Sequence, residues 1–221
     1  MKKFFGFTLA EVLITLGIIG VVAAITIPTL MTKISNAQNK TKLKAAYSIL
    51  SRALKLAQED DEDWRTWDYY HNPKCTQDIY NKLSKYMKVA QNCGMSNDCW
   101  MQTKAKNGQN ALYSNSNGLW DESYSFILMD GFAFALDIWN DNNLQNVAGV
   151  STNNLINPSA TLVIAVDVNG KSRPNTLSKD VFMFVLTEKG LIPSGAGDKG
   201  KNCDDKSSNN NWDCTSKALG R

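Results

Sequence analysis

Three groups of residues in this chain have types and spacings that could do chemistry. Glu11 is the single charge within the apolar run Phe7–Ile27. A carboxylate at membrane depth is costly, so it is expected to have both a function and a partner. Cys75, Cys93, Cys99, Cys203 and Cys214 all lie beyond that run. None makes a C-x-x-C pair and His71 is the one histidine, so a zinc site is not expected. Disulfides are, and they place this part of the chain in an oxidising, extracytoplasmic compartment. The third group is Asp167-Val168-Asn169-Gly170 with Asp180 further on. These are hard oxygen donors of the kind calcium takes, and Asp-x-Asn-Gly is equally the composition of a plain turn. No Ser/His/Asp, Cys/His or paired-carboxylate constellation is legible, and one histidine leaves little for general-base work, so no enzyme is expected.

The net charge of +3 is unevenly spread. From Asp61 onward the chain carries 16 basic and 18 acidic residues, a balance of −2. The excess of cations sits in Lys33, Lys40, Lys42, Lys44, Arg52 and Lys55. A nucleic-acid reader carries its basic face on the folded domain, and none is visible here.

The elements that must position these residues begin with Lys2-Lys3 ahead of 21 residues, Phe7–Ile27, that are apolar but for Glu11. At ~1.5 Å per residue that run spans a bilayer core of ~30 Å. Gly17, Gly20 and Pro28 weaken the helix locally. From Thr29 to Gln58, Ile34, Leu43, Ala46, Tyr47, Leu50, Ala53, Leu54 and Ala57 recur at helical spacing, with the lysines on the remaining face. The two stretches predict one helix of roughly 50 residues, near 75–80 Å at 1.5 Å per residue. The acidic run Glu59–Asp63 opposes the macrodipole at a helix C-terminus and is expected to end it.

Beyond it, Trp64, Trp67, Tyr69 and Tyr70 cluster in sequence and are expected to pack in the core. Exposure of Trp64 and Trp67 would instead favour a binding role. Ile79, Leu83, Met87 and Ala90 predict a second helix over 76–90, preceded by Cys75 and followed by Cys93. Residues 94–122 and 140–158 are polar connections. Tyr124–Met129 and Phe132–Ile138 flank Asp130-Gly131, a hairpin signal, and Ala160–Val168 and Val181–Thr187 complete four strands. After Pro193 the polar composition offers little to bury.

Five cysteines allow fifteen schemes of two bridges. Loop length favours local closure, hence Cys93–Cys99 and Cys203–Cys214, with Cys75 left free. Cys75–Cys93 remains open if the intervening helix is short, because a 15-residue helix separates its ends by about 22 Å.

Gly6-Phe7-Thr8-Leu9-Ala10-Glu11, after a short basic leader, resembles the processing site of type IV prepilins and of the pseudopilins of type II secretion. The resemblance covers residues 1–30 closely. It implies that a prepilin peptidase cuts after Gly6 and that Phe7 becomes an N-methylated N-terminus. It also implies that Glu11 is the counter-charge for a neighbour's terminal amine in a filament. The implied architecture is α+β: a leader (1–6), a membrane-spanning and filament-core helix (7–28), an amphipathic spine (29–60), and an extracytoplasmic domain (61–221) with an antiparallel sheet on the spine. Pro28 would then matter to filament packing. Implied partners are further copies and other pilins, the peptidase and an inner-membrane assembly platform. Some pseudopilins hold calcium in a C-terminal loop, which makes Asp167, Asn169 and Asp180 candidate ligands. Within the resemblance a minor, priming pilin is an alternative; outside it, an anchored adhesive or ligand-binding domain.

Overall fold

The computed structural model describes residues 6, 8–111, 120, 122–140, 144, 147–151, 155–157, 160–197 and 202–220. Helix α1 runs Leu9–Glu59 without a break at Gly17, Gly20 or Pro28. The chain divides into two compact units, residues 1–38 and 39–221.

In the first unit none of the described residues covers the apolar side chains. Leu13, Ile14, Ile18, Ile19, Val21 and Ile25 are all at least 60% exposed. Its 18-residue apolar window has a mean hydropathy of 2.4, enough in length and composition to cross a membrane.

In the second unit the same helix changes character. Leu43, Ala46, Leu50, Ala53, Leu54 and Ala57 are buried along one stripe, while Lys42, Lys44, Arg52 and Lys55 stay exposed. The alanines let the helix lie close to the sheet, and each buried leucine contributes about 1.5–3 kcal/mol of transfer energy. The helix stops at Glu59, and Asp61 turns the chain with a positive φ of 60°.

Six strands form one sheet in chain order: β1 (Val89–Gly94), β2 (Tyr124–Leu128), β3 (Ala133–Asn140), β4 (Ala160–Asp167), β5 (Val181–Thr187) and β6 (Gly190–Pro193). Every neighbouring pair is antiparallel. The fold is therefore α+β. At the β2–β3 turn Gly131 takes φ +82° and donates to the Leu128 carbonyl at 2.9 Å.

Alternation along the strands sends side chains to two buried faces. Phe126, Phe134, Leu136, Ile138, Leu162, Ile164 and Phe184 meet α1 and α2 (Pro73–Ser84). Ala135, Trp139, Val163, Ala165, Met183 and Val185 meet a second core built from irregular segments. There Trp120 lies against Trp139 and Trp212, with ring centroids 4.7 and 5.0 Å apart.

Two expectations need correction. The second helix starts earlier and ends sooner than 76–90. Asn72 accepts the Cys75 amide at 2.8 Å as N-cap, Pro73 fits the first helical position, and from Val89 the chain pairs with β2 instead. Cys75 thus lies inside the first turn of α2. The region after Pro193 also buries far more than its composition suggests. Trp212 is 1% exposed, and Asp213, Cys214 and Thr215 are buried with it. The Met183 amide donates to Thr215 Oγ1 at 2.9 Å and the Ser216 amide to the Ser194 carbonyl at 2.9 Å, so this segment docks on the sheet. It ends in a short helix, α3 (Thr215–Leu219). The polar connections 94–122 and 140–158 lie partly outside the described residues. Within them Trp100, Trp120, Leu144 and Val150 are buried against the second face.

Candidate functional site

The start of α1 is set by a reciprocal cap. The Thr8 amide and hydroxyl both donate to Glu11 Oε2, at 2.8 and 2.7 Å, and the Glu11 amide donates back to Thr8 Oγ1 at 3.3 Å. This satisfies donors that would otherwise be orphaned at the helix start and holds the Glu11 carboxylate at its N-terminal end. The S/T-x-x-E spacing was legible in Thr8-Leu9-Ala10-Glu11, but Thr8 carries no role in a reading built on Glu11 alone. Gly6 is exposed with open space around it. Phe7 and residues 1–5, which would carry the rest of the cleavage site, lie outside the described residues.

Further along, Thr15, Thr26, Thr29 and Thr32 turn their hydroxyls onto carbonyls three or four residues back. Thr32 bonds the Pro28 carbonyl at 2.9 Å. Threonine hydroxyls satisfied in this way can sit in an apolar medium. A Cβ built on Gly17 or Gly20 would meet nothing within 4 Å, so the fold of this chain does not itself require glycine at either position.

In the second unit the structure bridges Cys93 to Cys99 and Cys203 to Cys214, with Cα separations of 5.8 and 4.9 Å, and Cys75 is a free thiol. Trp64 and Trp67 are 8% and 6% exposed. Trp64 Nε1 donates to the Thr187 carbonyl at 3.1 Å, and Tyr69 donates to the Trp64 carbonyl at 2.6 Å. These aromatics are core residues; only Tyr70 of the cluster is well exposed.

Asp167 and Asp180 are both buried, and the half-buried Asn169 bonds to both. Asp180 accepts from the Thr176 amide at 2.6 Å and from the Asn175 amide and Asn169 Nδ2 at 3.0 Å each; Asp167 accepts from the Asn169 amide at 3.0 Å. Burial, reinforced by the charge of Asp180, pushes the Asp167 carboxyl up to about 8. A cation here would have to displace amide hydrogens that Asp180 already accepts. Among the described residues no group of three or more His, Cys, Asp or Glu side chains could hold a metal ion.

A cluster that the sequence did not single out lies on β3. Asp137 is 2% exposed, accepts from the Ile138 amide at 2.7 Å and Trp139 Nε1 at 2.9 Å, and has His71 Nδ1 at 3.9 Å. His71 is fixed by a 2.6 Å hydrogen bond between Nδ1 and the Ile138 carbonyl, with Glu122 3.6 Å from Nε2. Desolvation raises the Asp137 carboxyl to about 7. No signal in the chain pairs residues 71, 122 and 137; only strand pairing and the turn at Glu122 do.

Residues 1–27 match the family model of the prokaryotic N-terminal methylation motif. No curated protein and no solved structure matches the chain. Proteins that begin with this motif are structural and non-enzymatic in kind, and the motif with its apolar helix fits a membrane-anchored protein. The chain therefore carries the leader signature of type IV pilins and pseudopilins, and it reads as a pilin-like precursor.

Proposed function

We propose that this chain is a structural subunit that polymerises through α1 into a type IV pilus or a type II secretion pseudopilus. A prepilin peptidase cuts after Gly6, and Phe7, the new N-terminus, is N-methylated. The subunit waits in the inner membrane with residues 61–221 outside the cytoplasm and is then drawn into a filament by an assembly platform. The observation that carries this reading is the apolar part of α1 within residues 1–38, which none of the described residues covers, opening on a lone carboxylate directly after the leader motif. Such a surface needs lipid before assembly and neighbouring helices afterwards. The glycines at 17 and 20 leave room for those neighbours to approach closely. The burial of Trp64 and Trp67 speaks against the aromatic cluster as an adhesive surface.

Glu11→Val tests the reading. It is expected to insert and be cleaved like the wild type but to enter filaments poorly, because a neighbour's amine loses its counter-charge in an apolar core. Removing one partner of a buried pair costs about 3–5 kcal/mol. The readout is sheared-filament yield against the total membrane pool, and equal yields would refute the assembly role. Intact-mass analysis of the membrane fraction tests processing: a mature form retaining Lys2 and Lys3 would refute cleavage after Gly6.

A further inference from the structure

Between Glu11 and Glu59 the chain has no acidic residue, and Glu59-Asp60-Asp61-Glu62-Asp63 then follows without a base. The spine of the second unit thus carries its charge in two blocks of opposite sign. Lys40, Lys44, Arg52 and Lys55 are exposed on the side of α1 turned away from the sheet, since the buried stripe from Leu43 to Ala57 takes the other side. Among the described residues Lys40, Lys44 and Arg52 form no ion pair, and Lys55 has only Glu59, at 3.8 Å. Lys189 lines the same cleft as Lys55 and adds a further cation. In the acidic block Glu62 holds Lys82 and Lys85, and Asp63 holds Arg65. Asp60 accepts the neutral Tyr86 hydroxyl at 2.9 Å, and among the described residues neither it nor Asp61 forms an ion pair.

The two blocks cannot meet within one chain. Arg52 and Lys44 stand 8 and 16 residues before Asp60, about 12 and 24 Å along a helix axis. A second copy can supply the match, and the anchor decides how. On the function proposed above, every copy stands in one membrane with one orientation, so neighbouring spines run parallel. Parallel spines in register would set cations against cations and acids against acids. A displacement of about 12–24 Å along the spine instead lays one copy's acidic end beside the next copy's Lys44–Arg52 stretch. Ala45 and Ser48, exposed and small, leave room there for a close approach.

We infer that this face of α1 is the docking surface for a second copy of the chain, with Lys44 and Arg52 receiving Glu59 and Asp60 of a neighbour displaced along the spine. The contact joins two different patches and includes a translation, so it adds copies without closing into a ring. It presupposes the polymerisation proposed above and adds to it a charge repulsion against the in-register pair.

The full-length chain is expressed in cells where the wild type assembles, and sheared-filament yield is divided by the membrane pool. Lys44→Glu with Arg52→Glu, and separately Glu59→Lys with Asp60→Lys, are each expected to lower that ratio about fivefold or more, since exposed pairs are worth roughly two- to fivefold each. All four substitutions together restore the pairing with its signs exchanged and should bring the ratio back to within about twofold of wild type. All four side chains are exposed, so the urea midpoints of the purified variants should match the wild type. In a Cys75→Ser background, filaments carrying Arg52→Cys with Asp60→Cys are treated with a short bismaleimide. They should give a ladder of trimers and longer products, which neither single substitution gives. Wild-type yield in both reversed variants, a fourfold variant that does not recover, or no ladder would overturn the inference. Loss in the cation-reversed variant alone, not restored by the exchange, would assign the face to anionic lipid and overturn it as well. If Glu11→Val fails to assemble while the reversed variants assemble normally, polymerisation stands and only this contact is removed; a wild type without filaments removes both.

Discussion

Asp137→Asn should remove a pH dependence of stability that the buried carboxyl creates. In the folded chain Asp137 titrates near 7, against 3.8 for an ordinary aspartate, chiefly because burial penalises its charge. The folded state therefore holds a proton that the unfolded state has given up across that window. Stability is fully present below about pH 3.8 and is lost as pH rises through about 7. At 1.36 kcal/mol per pH unit the loss amounts to about 4 kcal/mol. Asparagine cannot ionise, so its variant lacks this slope. It also turns an N–H₂ toward either the Ile138 amide or the Trp139 indole, both donors in the wild type, at a cost of about 1–3 kcal/mol. Asp137→Asn should thus be the less stable protein at pH 4.5 and should close the gap, or overtake, at pH 8. The measurement is urea unfolding of the full chain in detergent, followed by tryptophan fluorescence at both pH values. Asp167, which titrates near 8, adds a slope of the same sign to both proteins and cancels in the comparison. Identical pH slopes in the two proteins would refute the argument.

Three further outcomes follow from other parts of the molecule. Gly195→Ala should destabilise the second unit on the order of 3 kcal/mol in the same unfolding assay, because its Cβ would lie 1.9 Å from the Asp213 carbonyl oxygen at a φ of +79°. Replacing Cys203 and Cys214 together by serine should cost about 3 kcal/mol, the loop-closure entropy of their 11-residue separation, and an unchanged urea midpoint would contradict it. Gly6→Val should leave full-length precursor in the membrane fraction, readable as retention of the leader mass, whereas normal maturation would show that the cleavage site does not depend on Gly6.

What the sequence made legible follows from how local each signal is. Helix α1 could be read from its period, and its end from Glu59–Asp63, because both are written in consecutive residues. The strands β2 to β5 were legible as apolar runs, and β2–β3 from Asp130-Gly131. β6 is only four residues long, and β1, with its exposed and polar Gln91 and Asn92, has no apolar alternation at all; both exist because β5 and β2 offer free edges to pair with. The apolar runs of β4 and β5 are continuous rather than alternating, as fits strands buried on both sides, yet only the spine was expected against the sheet and a second covered face was not. What covers that face was hidden, since Trp212 sits in Asn-, Ser- and Asp-rich sequence whose bulk composition masks one large side chain. Asp167 and Asp180 were legible as oxygen donors but not as a pair already occupied by amides. The Asp137 cluster was illegible for the opposite reason: each member is ordinary where it stands.

The order of the sheet has a consequence in time. Each strand pairs with its neighbour in the chain, so as synthesis proceeds from the N-terminus no strand waits for a distant partner. The second face is different. Its Trp120 and Trp139 are sealed by Trp212, which follows Trp139 by 73 residues in the chain, and the Cys203–Cys214 bridge that braces this segment cannot close before Cys214 arrives. A chain whose synthesis has passed β5 but not Trp212 therefore displays an oily, tryptophan-lined surface. That interval is when aggregation or proteolysis can claim it, and closure of the last bridge marks its end.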